Sequence, residues 1–483
     1  MFLSEREDSI IMNRSLKSIS KKKSVVIVLL VLLLALMTAC SSGGNTDSNS
    51  GGGSSSDSSA SPGSNGSSGG NRSNPIKVTF WHSMGGEVGQ AVDHLVAEFN
   101  KSRSDIQVEA IYQGSYDESL SKMKTAMGSG TGPTIVQVYE IGSRFMIDSK
   151  AITPMQKFID ADNFDLSELE ENILGYYTFD GQLYSMPFNT SNPILYYNKT
   201  LFREAGLDPE NPPRTFSEVK KAAEALTKDG VYGASFAIYG WFMEQLFAVQ
   251  GQEYVDNGNG REGLATRSLL AGEAGTTVMN WWKDMIDSKV MLNLGRSTAD
   301  TKTAFNAGQV AMILDSTAAL RGIVDTVGGS FEVGTGFLPR PDGAEDGGVI
   351  VGGASLYILN DRPEEEQKAA WEFIKFVVSP EQQAYWHVNS GYFPITKAAY
   401  DQPLVKENLE KFPQFKTAVD QLHQSKLNNA TKGAVMGIFP EARQIVEQAM
   451  EEIINGAKSV EQALADAEKE ITEKIQAYNK TVQ

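Results

Sequence analysis

Between Ile76 and Tyr139 the chain alternates strand and helix signals in an order that few folds satisfy. Ile76–Trp81 reads as a strand. From Glu87 to Asn100 the apolar residues Val88, Ala91, Val92, Leu95, Val96 and Phe99 recur at intervals of three and four, the stripe of an amphipathic helix. Asp105 precedes a second strand, Ile106–Tyr112. Asp117–Met127 is the next helix, broken by Gly128, Gly130 and Gly132, and Thr134–Tyr139 is a third strand. Such spacing implies crossover connections and a parallel, doubly wound sheet. Ligands of these sheets sit beyond the carboxyl ends of the strands, which points to the loops opening at His82, Gln113 and Glu140. Further along, Phe216–Leu226, Thr277–Ile286, Glu365–Val377 and Val460–Ala477 read as helices, and Ala311–Leu314 and Val349–Leu359 as strands. The body from Ile76 onward runs to about 400 residues, more than one core usually holds, so two lobes are expected.

Ahead of that body lies a segment of different composition. Arg14, Lys17, Lys21, Lys22 and Lys23 form a basic cluster, followed by an apolar run from Val25 to Met37. The run has the length of a signal-peptide core and is shorter than the ~20 residues a membrane-spanning helix needs. It ends in Leu36-Met37-Thr38-Ala39-Cys40, which resembles the lipobox of bacterial lipoproteins, with Met37 where Leu is usual. Cys40 is the only cysteine of the chain. It therefore has no intrachain disulfide partner, whereas acylation at the cleavage site gives it a use. Residues 41–75 are almost entirely Ser, Gly, Asn and Asp, a flexible coil whose reach is roughly 30–35 Å. The expected layout is a signal peptide at 1–39 and a lipidated Cys40 with its tether at 40–75. Glu5, Glu7 and Asp8 are unusual in a signal peptide, so translation from Met12 stays open beside Met1.

Charge and motifs exclude several classes. The whole chain carries a net charge of −17, and residues 1–39 contribute six basic and three acidic groups, so the processed chain stands at −20. A body this acidic argues against nucleic acid or an anionic membrane surface as direct partner. The four histidines, His82, His94, His387 and His423, form no metal-ligand pair at helical spacing. HExxH, a GxSxG elbow, a P-loop and a GxGxxG following a strand do not occur. No catalytic residue, metal or cofactor is expected. Carboxylates are plentiful, and composition leaves a glycosidase pair as an alternative.

Residues 193–216, PILYYNKTLFREAGLDPENPPRTF, resemble the signature of the family 1 extracellular solute-binding proteins of ABC importers. Further segments resemble its glycerol-3-phosphate and glycerophosphodiester branch: FWHSMGGEVGQAVDHLVAEFN (80–100), QVYEIG (137–142), PFNTSNPILYYNK (187–199), GGASL (352–356), GYFPITKAAY (391–400) and TKG with FPEAR (431–443). The likeness implies an α/β clamshell of two lobes, each a doubly wound sheet flanked by helices, joined by crossing hinge strands. It divides the body into 76–188 plus 311–355 and 189–310 plus 356–483. Crossings are expected near Pro187–Pro193, Val310–Leu314 and Gly353–Asn360. The protein would be a monomer, lipid-anchored on the extracellular face of the cell membrane. It would deliver a small ligand of glycerol phosphate type to the permease subunits.

The resemblance also assigns residues. It implies ligand contacts at Tyr116, Glu140, Ser191, Trp241, Ser316, Gly353, Tyr392 and Arg443, the last as cationic anchor. The chemistry is coherent: a phosphate suits a guanidinium fork, a close glycine backbone and hydroxyl donors, and vicinal hydroxyls suit a carboxylate. Glu140 is expected at the polyol end, away from the phosphate. The family's second pocket tryptophan is absent: Ile238 stands in its place, with Tyr239 as a neighbouring aromatic. Without the likeness, Arg443 reads as a surface ion-pair residue, Glu140 as a helix N-terminal charge, and Trp241 and Tyr392 as core. Trp81 and His82 read as structural. A carrier for a neutral oligosaccharide and a tethered hydrolase are the competing functions.

Overall fold

The computed structural model describes residues 74–344 and 347–482; Cys40, the apolar run before it and the Ser/Gly-rich tether lie outside the described residues. Among the described residues no helix is long and apolar enough to cross a membrane.

The opening alternation appears as β1 (Ile76–His82), α1 (Gly86–Ser102), β2 (Ile106–Tyr112), α2 (Tyr116–Ser129) and β3 (Ile135–Tyr139). β1 pairs in parallel with both β2 and β3. The predicted stripe of α1 is what it buries: Ala91, Val92, Leu95, Val96 and Phe99. A capping box between Ser115 and Glu118 fixes the start of α2 and puts Tyr116 in its first turn.

The chain continues through β4 (Ile152–Thr153), β5 (Met186–Ser191), β6 (Pro193–Asn198), α3 (Phe216–Leu226), α4 (Gly240–Ala248), α5 (Glu273–Asp287), α6 (Thr298–Asn306), β7 (Met312–Ser316) and β8 (Val333–Gly336). It ends with β9 (Gly352–Leu359), α7 (Glu364–Val377), α8 (Pro380–Ser390), α9 (Lys416–Gln424), α10 (Phe439–Ile454) and α11 (Val460–Val482). The first sheet has the order β2-β1-β3-β9-β4, with β5 also on β9. β9 runs antiparallel to β3, β4 and β5, so the sheet is mixed. The second sheet, β8-β6-β7, is antiparallel. Parallel bridges from Tyr232 to Val310 and from Ser235 to Ile313 extend it.

This pairing corrects the expected division of the body. Met312–Ser316 and Val333–Gly336 were expected in the first lobe, but they hydrogen-bond to β6 in the second. Segment 356–390 was expected in the second lobe. Instead β9 lies in the first sheet, α7 packs on β1 through Phe373 against Phe80, and α8 stacks Tyr385 on His94 of α1. The chain passes to the second sheet at a single residue, Asn192, between β5 and β6. It returns between β8 and β9, not at Val310–Leu314. Asn192 is pinned there: its carbonyl accepts from Thr317 N, its Nδ2 donates to Ala418 O and its Oδ1 accepts from Gln421 Nε2.

Candidate ligand-binding site

The residues that follow the carboxyl ends of β2 and β3 face residues of the second lobe across a cavity of about 260 Å³. The first lobe contributes Tyr116, Tyr139, Glu140, Ser191, Gly353 and Tyr392; the second contributes Tyr239, Trp241, Thr298, Lys302, Asp315 and Ser316. Seven of the eight residues singled out from the sequence thus line one space. The eighth, Arg443, sits immediately behind it, bonded to Glu140. The loop opening at His82 is not part of the lining; His82 is buried, and its Nδ1 accepts from Met84 N.

Local structure explains how these side chains are held. Tyr116 stacks on Tyr139 with ring centroids 5.3 Å apart, and its hydroxyl accepts from Asn189 Nδ2 at 2.8 Å. Tyr139 donates to Asp117 at 2.7 Å, so both rings are locked from below. Ser316 ends β7, where its Oγ accepts from Ala318 N and keeps its own proton to donate. Tyr392 follows Gly391, the left-handed residue that ends α8, and stacks on Trp386. Gly353 has φ +96°, and a Cβ there would lie 1.8 Å from Asn189 O. No side chain fits that position without moving backbone.

The most charged feature is centred on Arg443. Its Nε donates to Glu244 Oε1 at 2.8 Å, and its Nη2 donates to Glu244 Oε2 at 2.9 Å and to Glu140 Oε1 at 2.8 Å. All three side chains are at most 7 % exposed. Gly240 permits this approach, since a Cβ there would lie 2.4 Å from Arg443 Cγ. Burial works against the Arg443 charge, but Glu244, Tyr239 and Glu140 outweigh it and hold the guanidinium charged well above its ordinary range. Burial pushes Glu244 up in spite of Arg443. A guanidinium has five N–H donors, and three are committed here, which leaves the two on Nη1.

Two expectations change accordingly. Glu140 does not stand apart from the cationic anchor; it is bonded to it, because Arg443 with Glu244 alone would leave its second Nη2 proton without an acceptor. The full fork of Arg443 is not free for an anion, because its Nε edge is held by Glu244. Ile238 is buried, its amide bonds Gly295 O, and it is not part of the lining; Tyr239 supplies the second aromatic beside Trp241, with ring centroids 6.0 Å apart. Trp241 Nε1 has no hydrogen-bond partner among the described residues.

Sequence reasoning did not single out Glu244, Lys302 or Asp315. Signals existed for two of them. Glu244 is the one charged residue of GWFMEQLFA, a helix buried along its whole length, and Asp315 interrupts the apolar strand MILDS. A carboxylate in such company needs a partner. Lys302, on the short and mostly polar α6, gave none.

Comparison with known proteins agrees with this architecture. Residues 94–414 match the model of the bacterial extracellular solute-binding protein family. The chain is 34% identical over 422 residues to the sn-glycerol-3-phosphate-binding periplasmic protein UgpB of Escherichia coli K12, covering 85% of this chain and 95% of that one. It is 36% identical over 401 residues to the Yersinia enterocolitica UgpB, covering 81% and 90%. Among solved structures, Mycobacterium tuberculosis UgpB in complex with glycerophosphocholine superposes with a TM-score of 0.72 at 25% identity, over 84% of this chain and 99% of that one. Maltose-bound MalE3 of T. maritima shares the two-lobed fold, with a TM-score of 0.69 at 22% identity. With most of its body matched and a cavity where two α/β lobes meet, the chain belongs to the bacterial extracellular solute-binding protein family.

Proposed function

We propose that this chain is the lipid-anchored binding component of an ABC importer. It captures sn-glycerol-3-phosphate or a glycerophosphodiester between its lobes outside the cell and delivers it to the membrane permease. The observation that carries the reading is the convergence of Tyr116, Glu140, Ser191, Trp241, Ser316, Gly353 and Tyr392 on one cavity, with Arg443 behind it. The relatives that align over most of the chain bind sn-glycerol-3-phosphate by name. Ser316, Tyr392, the backbone at Gly353 and Arg443 Nη1 supply donors to a phosphate. Ser191, Tyr116 and the remaining lone pairs of Glu140 serve hydroxyls, and Trp241 with Tyr239 covers the carbon skeleton or a quaternary ammonium. A cavity of about 260 Å³ lies just below the ~300–1,000 Å³ of most ligand pockets, and suits one glycerol phosphate unit better than an oligosaccharide. The protein acts by capture, not turnover. Cys40, at the end of its apolar run, is the anchor, and the Ser/Gly-rich segment is the tether.

The described residues, from 74 onward, belong to one compact unit, so the soluble body serves for the test. Calorimetric titration with glycerol-3-phosphate, glycerophosphocholine and maltose should show binding of a phosphate ligand and none of maltose. Maltose binding with no response to either phosphate compound would replace this reading with that of a neutral-sugar carrier.

A further inference from the structure

Beside Ser316, on the second-lobe wall of the cavity, lies a pair that the reading above leaves unused. Asp315 is 6 % exposed. Its Oδ1 accepts from Ser316 N at 2.7 Å, and its Oδ2 has no hydrogen-bond partner among the described residues. Lys302, on α6, also lines the cavity, with Nζ 3.8 Å from Asp315 Oδ2, too long for a hydrogen bond. A buried carboxylate oxygen left open beside a loosely held ammonium is an unfinished arrangement. Arg443 is already matched by two carboxylates, so its Nη1 donors bring no net positive charge to the cavity.

We propose that Lys302 and Asp315 form a proton-linked contact for the ligand phosphate: Lys302 leaves Asp315 for a phosphate oxygen, and Asp315 takes one proton from solvent. The neutral acid then donates through the open oxygen. The only bonds that change belong to this proton transfer: a buffer acid loses its proton, and an O–H bond forms on Asp315. The inference rests on the assignment of a phosphate ligand to this cavity. The other groups facing Asp315 do not compete for the proton: Tyr196 of β6 donates its hydroxyl to Ser316 O, and burial holds both it and Tyr392 protonated. Burial already pushes Asp315 up to about 6, with Lys302 opposing. Withdrawal of Lys302 and arrival of an anion both raise it further. The sign follows: the bound state holds more protons than the free state, so affinity rises as pH falls.

Glycerophosphocholine is the probe, because its diester phosphate and quaternary ammonium do not titrate near neutrality. Titration of the detergent-solubilised full chain between about pH 5.5 and 8 should show affinity falling as pH rises, at most ~10-fold per unit for one proton. Near pH 7, buffers of different ionisation enthalpy should report net proton uptake by the wild type, a readout that needs no variant. Asp315→Asn should bind with a flat pH profile, and Lys302→Met should weaken binding and flatten it too. Binding without proton uptake, or a pH profile that survives Asp315→Asn, overturns the linkage while the ligand assignment stands. No binding at any pH overturns the ligand assignment, and this contact with it.

Discussion

Replacing Arg443 with Ala tests what holds the site together as well as what holds the ligand. The substitution deletes three charge-assisted bonds and leaves Glu140 and Glu244 buried without a cation. Removing one partner of a buried ion pair costs about 3–5 kcal/mol. The lower figure applies here if Glu244, already pushed up by burial, takes a proton. Loss of the ligand contact costs a further ~2–5 kcal/mol of binding, about 30-fold to several-thousand-fold in affinity. Arg443→Ala should therefore unfold at lower urea and bind no phosphate ligand measurably. Arg443→Lys should keep a remnant, since one ammonium cannot bridge two carboxylates and still present a planar edge. The double variant Arg443→Met with Glu244→Gln separates the two effects. It removes one of the stranded charges, so stability should recover in part while binding stays lost. Urea unfolding reads the first quantity and titration calorimetry the second. If Arg443→Ala binds its best ligand within about threefold of wild type, the guanidinium does not touch the ligand and the phosphate assignment falls.

Gly353→Ala should destabilise the fold by at least ~2 kcal/mol and abolish binding, because its Cβ meets backbone at a positive φ. An unchanged thermal melt would contradict that geometry. Cys40→Ala should release the protein from the membrane fraction or leave it unprocessed; continued behaviour as an integral membrane protein would refute the lipid anchor.

The opening β–α–β–α–β run was legible almost to the residue because each element buries one stripe or one face, and periodicity records burial directly. What periodicity does not record is the partner. Met312–Ser316 and Gly352–Leu359 both read as apolar strands, yet one pairs with β6 and the other inserts between β3 and β5. Nothing within either segment distinguishes these pairings, which is why the lobe boundaries came out displaced. The site divides in the same way. Residues in recognisable motifs, such as Gly353 and Tyr392, were expected at the site and line the cavity. Lys302 was not, because a single lysine on a short, mostly polar helix matches the pattern of an ordinary surface. For Arg443 the position was readable but the surroundings were not, since Glu244 lies 199 residues away in sequence.

The bond between Arg443 and Glu140 spans the two lobes, since Glu140 follows β3 and Arg443 lies on α10. It can form only when the lobes are together, so the empty protein has a reason of its own to shut. A ligand then contributes only the difference between its own contacts and those already present, and the fraction of time spent shut lowers the apparent affinity in proportion. Such a receptor gives up some tightness of hold. In return the bond stays in place beside the bound ligand, so a permease that draws the lobes apart breaks it and the ligand contacts in one movement.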